Sequence, residues 1–241
     1  MRVKKGYISK GVIFFKNKFF NRYGLKDISN NTDPVVVFGV YFDEDREFIK
    51  NHKGQVIVVW CGSDAMLVGD TEIFKDRINI VTSSFSARDL DRAGLKYRVA
   101  PVTPVDTDIK VAPRGDFIYH YGKGRSYGEH LLDDIQKQVG IKIIRATSGT
   151  YSPRELLNVY RKCFIGLRLT PHDGLPTTCV ELAMMGRRYI FNGDMPHAIP
   201  WSGVKDICES IRLEYKSRHE DNKMISEDIK KYINDDRWLN I

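Results

Sequence analysis

Residues 163–194, CFIGLRLTPHDGLPTTCVELAMMGRRYIFNGD, carry the clearest structural signal in the chain. The apolar run 163–169 predicts a buried strand, and a short loop then leads to a helix predicted over 176–185. Gly186 ends that helix, and 188–192 predicts the next strand. A strand, a helix and a second strand in this order indicate a β-α-β unit of a parallel sheet.

The same alternation continues through most of the chain. Further strands are predicted at 35–40, 55–60, 78–82, 97–102, 116–121 and 141–146. Further helices are predicted at 43–52, 127–139, 204–216 and 226–237, and after two capping-box sequences at 86–89 (SARD) and 152–155 (SPRE). Strands that alternate with helices predict an α/β fold of parallel sheets with helices on both faces.

A stretch with two prolines and no apolar periodicity, 103–115, predicts a linker between two domains. We expect an N-terminal Rossmann-like domain at 1–105 and a C-terminal Rossmann-like domain at 112–225, facing each other across a cleft. Residues 226–241 predict a C-terminal helix that can pack back on the first domain. In each domain, ligands are expected beyond the carboxyl ends of the strands.

The start of the helix at 176 has the properties of an anion site. Pro176, Thr177 and Thr178 fall at its first turn, where backbone N–H groups lack intrahelical partners and the helix dipole is positive. Such a helix end suits a diphosphate. Asp173 precedes the helix and Glu181 lies in its second turn, so both carboxylates can accept hydrogen bonds from sugar hydroxyls without a metal ion.

This segment resembles the E-x7-E signature of retaining glycosyltransferases with the GT-B fold. The matching residues are Asp173-Gly174-Leu175-Pro176 and then Glu181, followed by a glycine and a strand. The resemblance implies that Asp173 contacts hydroxyls of the transferred sugar and that Glu181 binds the ribose of the nucleotide. Asp173 replaces the usual glutamate, so its side chain is one methylene shorter. The neighbouring residues Gly174, Leu175, Pro176, Thr177, Thr178 and His172 are then candidates for the nucleotide-sugar site.

A second stretch resembles the start of the donor domain in the same family. After the strand at 116–121 the sequence reads GKGRSYG, with Lys123 in the place of the family's arginine and Tyr127 in the place of its lysine. The resemblance implies that Gly122 belongs to the donor site and that Lys123 neutralises the diphosphate; Asp173, Lys123 and Arg125 are the catalytic candidates. Arg125, or Arg168 from the strand before the motif, is the candidate for the second positive charge.

In the first domain, WCGSD at 60–64 resembles a His-Gly-Ser-Asp turn of the family. That similarity places Gly62, Ser63 and Asp64 on the acceptor side. The resemblance covers roughly residues 55–210, and the first 54 residues lack the family's glycine-rich loop.

Other classes of protein are disfavoured. There is no GxGxxG after the first strand and no phosphate-binding GxxxxGK[ST] sequence. The four cysteines, at 61, 163, 179 and 208, have no metal-ligand spacing and predict reduced thiols in a cytoplasmic protein. No apolar run approaches 18 residues, so no transmembrane helix is expected. Asp106 and Asp108 form a DxD in the linker, which we interpret as solvated rather than metal-binding.

The excess positive charge is concentrated at the N-terminus. Residues 1–26 contain eight basic residues and no acidic residue, interleaved with six aromatic ones, while the remainder has 30 basic and 31 acidic residues. This pattern is consistent with an amphipathic segment whose aromatics fill a core, or with a surface for DNA or for an anionic membrane.

The leading interpretation is a glycosyltransferase that moves a sugar from a UDP- or GDP-sugar to a hydroxyl, with retention and without a metal or other cofactor. The acceptor is interpreted as a glycan or a lipid-linked sugar. One alternative is a glycosyltransferase that acts on a hydroxymethylated DNA base, which requires base extrusion. Another is a non-catalytic module that binds nucleotide sugars. The sequence leaves the oligomeric state open.

Overall fold

The computed structural model describes residues 2–220 and 222–240, which form two compact units. Unit 1 contains residues 2–106, 172–175 and 233–240, and unit 2 contains 107–171 and the described part of 176–232. The segment His172–Leu175 therefore belongs to unit 1, although in sequence it lies between two stretches of unit 2.

Unit 1 is a parallel sheet with helices. Its strands are β1 (Lys5–Ile8), β2 (Lys26–Asp27), β3 (Val35–Phe38), β4 (Val56–Trp60), β5 (Ile78–Val81) and β6 (Arg98–Val99). Its helices are α1 (Lys16–Tyr23), α2 (Asp43–Asn51), α3 (Glu72–Lys75) and α4 (Ser84–Arg92). The strand order is β2-β1-β3-β4-β5-β6, and neighbouring strands are parallel throughout.

Unit 2 repeats this architecture. Its strands are β7 (Phe117–Tyr121), β8 (Ile143–Ala146), β9 (Cys163–Leu167), β10 (Arg188–Ile190) and β11 (Ala198–Ile199). Its helices are α5 (Leu132–Val139), α6 (Pro153–Arg161), α7 (Thr177–Met184), α8 (Val204–Lys216) and α9 (Lys223–Ile233), the last residue of which is assigned to unit 1. The order is β11-β10-β9-β7-β8, again with parallel neighbours.

The continuous apolar runs became strands covered on both faces. Every residue of β3, β4 and β9 is buried, because helices pack on each side of a parallel sheet. The prediction of an α/β fold with parallel sheets is confirmed. Parallel strands also bring the loops after their carboxyl ends to one edge of each sheet, which is where candidate binding loops are expected to gather.

One of the two predicted capping boxes is wrong. Ser83, not Ser86, is the N-cap of α4, and its hydroxyl accepts a hydrogen bond from the backbone N–H of Ser86 at 3.2 Å. Ser83 is in an extended conformation two residues after β5 ends at Val81, so the helix begins soon after the strand. The box at 152–155 is present, with reciprocal bonds between Ser152 and Glu155.

Several predicted boundaries are also wrong. The strand predicted at 97–102 is limited to Arg98–Val99, because Pro101 has no N–H to donate to a neighbouring strand. The helix predicted from 127 begins at Leu132, since Gly128 has a positive φ of 72° and interrupts the helical path. The last helix is Lys223–Ile233 rather than 226–237. The sequence did not predict β1, α1, β2, α3 or β11.

The aromatic residues of the N-terminal segment belong largely to the core of unit 1. Phe19, Phe20 and Tyr23 on α1 are buried, and the Phe19 ring stacks on Phe38 of β3 with centroids 4.3 Å apart. Phe14 is the exception, at 71% exposed. Most of the aromatic pattern of this segment is therefore explained by packing.

Basic side chains of the same segment have local partners. They include Arg2 with Asp236, Lys10 with Glu44, Lys16 with Asp27, and Arg22 with the backbone oxygens of Val105 and Ile233. Exposed pairs of this kind contribute little to stability, and at least three of the eight basic residues of the segment are paired with a carboxylate.

A buried arginine connects the elements of unit 2. Arg187 is fully buried and donates to the backbone oxygens of Tyr160, Cys163, Ala112, Met185 and Pro113. These acceptors come from the ends of α6 and α7, the start of β9 and the segment before β7. Burial lowers the pKa of Arg187 to about 10, so the guanidinium stays charged at neutral pH, and helix carboxyl ends favour a positive charge.

Within the described residues, no helix is long and apolar enough to cross a membrane.

We predict that Arg187→Met lowers the free energy of unfolding by at least about 3 kcal/mol, because five buried carbonyl groups lose a hydrogen-bond donor. Arg161→Met is the matched control, since that side chain is exposed, and it should change the value by no more than about 0.5 kcal/mol. Urea unfolding followed by circular dichroism gives both numbers. Equal stability of the two variants would show that Arg187 does not organise unit 2.

Candidate functional site

The N-terminus of α7 lies beyond the carboxyl end of β9. Pro176 is the N-cap, and Thr177 and Thr178 form the first turn of an eight-residue helix. Gly166 allows this helix to lie close to the sheet, because a Cβ at that position would come within 2.3 Å of Leu182 Cδ1. The first N–H groups of α7 thus occupy the edge of the sheet where anions bind in such folds.

Glu181, in the second turn of α7, has a specific buried partner. The hydroxyl of Tyr160, at the end of α6, donates to Glu181 Oε2 at 2.9 Å. Tyr160 is fully buried, and burial followed by the charge of Glu181 raises its pKa well above 10. Tyr160 therefore keeps its proton and orients the Glu181 carboxylate, which is itself half-buried.

Arg168 is the buried cation at this edge. It follows β9 directly, its exposed fraction is 8%, and its guanidinium carbon lies 5.3 Å from the Tyr121 ring centroid and 4.9 Å from that of Tyr127. Lys123 and Arg125 lie in the loop after β7 and are exposed. Because β7 and β9 are neighbours in the sheet, all three cations come from adjacent loops at the carboxyl edge.

The loop after β7 has a fixed shape. Gly122 has a φ of 118°, and a Cβ there would lie 2.3 Å from the Tyr127 ring. The backbone N–H of Gly124 donates to Glu129 Oε2 at 2.6 Å. Buried His120 bonds through Nε2 to the backbone oxygen of Tyr127 at 2.8 Å. Tyr127, fixed in this way, lies against the guanidinium of Arg168.

In unit 1, Asp64 is a structural carboxylate. It is fully buried and accepts hydrogen bonds from the N–H groups of Val40 (3.1 Å), Cys61 (3.1 Å) and Gly62 (2.7 Å). Burial raises its pKa, while these backbone bonds act in the opposite direction. Asp64 thus joins the loops that follow β3 and β4, and the exposed Ser63 beside it is better placed to meet a ligand.

The segment His172–Leu175 is attached to α4 and to the loop after β4. Ser83 Oγ donates to the backbone oxygen of Asp173 at 2.7 Å, and His172 Nε2 bonds to Asp89 Oδ2 at 2.6 Å. Asp173 Oδ1 accepts from the N–H of Gly174 at 2.9 Å. The side chain of Asp173 therefore has a defined orientation relative to its own backbone.

The sequence-predicted residues fall into two groups. In unit 1 the structure places Gly62, Ser63, Asp64, His172, Asp173, Gly174 and Leu175. In unit 2 it places Gly122, Lys123, Arg125, Arg168, Pro176, Thr177, Thr178 and Glu181. Two carboxylates of one sequence motif thus belong to different units. Tyr160, Ser83 and Asp89 were missed, because their partners are 21, 90 and 83 residues away and no local pattern marks such pairs.

A cavity of about 360 Å³ in unit 2 lies away from the N-terminus of α7 and from Arg168. Its lining includes Val111, Arg114, Gly186, Arg218 and Asn222, which precede β7 or β10 or follow α8. These positions are at the amino ends of the strands, so the cavity is not part of the edge that carries α7 and Arg168.

Among residues 2–220 and 222–240, no group of three or more His, Cys, Asp or Glu side chains could hold a metal ion. Metal independence stays a prediction, and so does the interpretation of Asp106 and Asp108 as solvated residues.

Solved structures with a similar fold include two sugar-phosphate synthases and TarM. A sucrose-phosphate synthase from Thermosynechococcus elongatus matches 97% of this chain and 78% of its own, with a TM-score of 0.64 and 10% identity. TarM matches 88% of this chain and 56% of its own, with a TM-score of 0.63 and 12% identity. An α,α-trehalose-phosphate synthase (UDP-forming) from Burkholderia vietnamiensis matches 86% and 71%, with a TM-score of 0.57 and 9% identity.

No family model matches the sequence, and no curated protein matches it significantly. At 9–12% identity the structural similarity establishes the fold, which is the GT-B type that the sequence predicted.

We predict that His120 makes stability depend on pH near 6. Burial lowers its pKa below 6.5, so below pH 6.5 the unfolded chain binds a proton that the folded chain resists. Well above pH 6.5 His120 is neutral in both states and does not lower the free energy of unfolding. As the pH falls below 6.5, the free energy of unfolding decreases by up to about 1.4 kcal/mol per pH unit. Unfolding free energies at pH 7.5 and 5.5 should differ less in His120→Gln than in wild type. An identical difference in both proteins would contradict this assignment.

Proposed function

We propose that this protein is a glycosyltransferase that transfers a sugar from a nucleoside-diphosphate sugar to a hydroxyl group. The observation that carries the proposal is the pairing of Glu181 with the buried Tyr160 hydroxyl at 2.9 Å, on a helix whose N-terminus lies at the carboxyl edge of a parallel sheet. A carboxylate oriented in this way, one turn from an anion-binding helix end, suits a ribose next to a diphosphate.

The diphosphate is proposed to bind the backbone N–H groups of Thr177 and Thr178, which follow the N-cap Pro176, together with Arg168. Lys123 and Arg125, both exposed on the loop after Gly122, are proposed to supply further positive charge to the same group. Two structural neighbours support a uridine nucleotide: one is described as UDP-forming, and a Staphylococcus aureus TarM structure holds UDP. A GDP-sugar is the alternative donor, and both nucleotides are compared in the test below.

The transferred sugar is proposed to meet Asp173, with His172, Gly174 and Leu175 as its neighbours. The motif supports retention of configuration. In such a reaction the leaving diphosphate accepts the proton of the attacking hydroxyl while the new glycosidic bond forms on the same face. The protein then contributes by positioning both substrates and by stabilising the charge that develops on the diphosphate.

The acceptor is proposed to be a glycan or a lipid-linked sugar, bound beside Gly62 and Ser63. The S. aureus TarM structure also holds α-GlcNAc-glycerol, which is consistent with a polyhydroxylated acceptor in this fold. A DNA acceptor gains no support from the N-terminal segment, because several of its cations are paired with acidic or carbonyl groups.

The direct test is to incubate the purified protein with UDP- and GDP-sugars, with and without oligosaccharide acceptors, and to measure nucleotide release. Release above background, retained in EDTA, is the expected result because helix N–H groups and arginines are proposed to bind the diphosphate instead of a metal. Loss in EDTA with recovery in Mg²⁺ or Mn²⁺ would contradict metal independence. Binding without any release would favour a non-catalytic nucleotide-sugar-binding module.

We predict that Glu181→Gln weakens UDP binding roughly 10- to 150-fold, since a charge-assisted hydrogen bond is worth about 1.5–3 kcal/mol. Glu209→Gln, an exposed change on α8, is the control and should leave the affinity within about twofold. Calorimetric titration measures both. Asp173→Ala should instead reduce turnover of the nucleotide sugar while UDP affinity is kept. Equal losses of UDP affinity in Asp173→Ala and Glu181→Gln would overturn this division of roles.

A further inference from the structure

We propose that Ser83 and Asp89 are positioning residues for Asp173. This inference rests on the proposed function, since it concerns the carboxylate that is proposed to meet the transferred sugar. Neither residue belongs to the motif that suggested the function, and both come from unit 1, from the N-cap and the second turn of α4.

Ser83 fixes the backbone of Asp173 itself. Its hydroxyl accepts the N–H of Ser86 at 3.2 Å and donates to the backbone oxygen of Asp173 at 2.7 Å. Ser83 is 8% exposed, so this second bond is shielded from water. A hydroxyl that caps its own helix has one proton left to donate, and here that proton is directed to residue 173.

Asp89 fixes the preceding residue. The carboxylate, 8% exposed in its side chain, lies 2.6 Å from His172 Nε2, and a carboxylate acceptor requires this nitrogen to be the donor. Arg92 also contacts Asp89 at 3.0 Å, and the His172 ring lies 5.7 Å from the Phe85 ring. The imidazole is therefore bound to α4 by a short, largely buried hydrogen bond and an aromatic contact.

Gly174 fixes the following residue. A Cβ at this position would come within 2.3 Å of the backbone oxygen of Cys61 and 3.0 Å of Thr82 Oγ1. Only glycine allows so close an approach of the two backbones. Asp173 is thus restrained on both sides and at its own carbonyl, and its carboxylate is in turn bonded to the N–H of Gly174 at 2.9 Å.

Because these contacts restrain Asp173, their loss is expected to affect the transfer step. The transfer step depends on the placement of a carboxylate to within a fraction of an ångström, and a small displacement can cost roughly 100-fold in rate. In the proposed function the bare nucleotide binds residues of unit 2. Its affinity should therefore not change when the contacts of Ser83 and Asp89 are removed. Loss of a residue that only stabilised unit 1 would not lower kcat selectively while leaving the UDP affinity unchanged.

The experiment compares Ser83→Ala, Asp89→Ala and Asp89→Asn with Asp91→Asn as the matched control, an exposed aspartate on the same helix. In each protein we would measure kcat for the nucleotide sugar, the Kd for UDP, and amide hydrogen exchange of a peptide covering 170–175. Ser83→Ala and Asp89→Ala should lower kcat roughly 10- to 100-fold and accelerate exchange of that peptide. UDP Kd should stay within about twofold in all variants.

Asp89→Asn keeps an acceptor oxygen for His172 and should recover most of the activity lost in Asp89→Ala. Faster exchange with unchanged kcat would overturn the positioning role while leaving the proposed function intact, as would equal losses of kcat and UDP affinity. A wild-type protein that neither binds UDP or GDP nor turns over their sugars would instead overturn the proposed function, and the positioning role with it.

Discussion

The arrangement of unit 2 depends on one buried guanidinium. Arg187 has no exposed surface, and its donors are directed at five backbone oxygens from four separate elements. Desolvating a charge of this size is costly, so the arginine is tolerated only because nearly all of its donors are satisfied and because two acceptors lie at helix carboxyl ends. The same bonds fix the ends of α6 and α7 relative to β9.

The hydrogen bonds of Arg187 also affect the candidate site, because α6 and α7 carry residues of that site. Arg187 Nε donates to the backbone oxygen of Tyr160, and the hydroxyl of that tyrosine donates to Glu181 on α7. A displacement of either helix would break the Tyr160–Glu181 bond and change the orientation of the Glu181 carboxylate. The stability of the interior and the geometry proposed for nucleotide binding are therefore expected to change together. In unit 1, Asp64 has the comparable role of joining two loops through backbone N–H groups.

The sequence predicted those features that depend on neighbouring residues. The apolar runs of β3, β4 and β9, the cap at Ser152 and the helix that begins after Pro176 were all readable, because each is defined by residues within a few positions of one another. Features that depend on residues far apart in the sequence were not predicted. The hydrogen-bond partner of Glu181 is 21 residues away and that of the Asp173 backbone is 90 residues away. No local pattern marks Arg187 as a buried residue. The short strand β1 was missed because its half-buried KGYI sequence is too short and too polar to stand out.

The most direct test of the account is amide hydrogen exchange of the whole protein with and without UDP. Binding at the proposed place should protect peptides that cover 122–128 and 176–184, because the diphosphate is proposed to bind the N–H groups of Thr177 and Thr178 and to restrain the loop that carries Lys123 and Arg125. Peptides that cover 111–114 and 218–220, at the opposite edge of unit 2, should exchange at the same rate in both conditions. Protection at that opposite edge, or none at 176–184 under saturating UDP, would contradict the central claim.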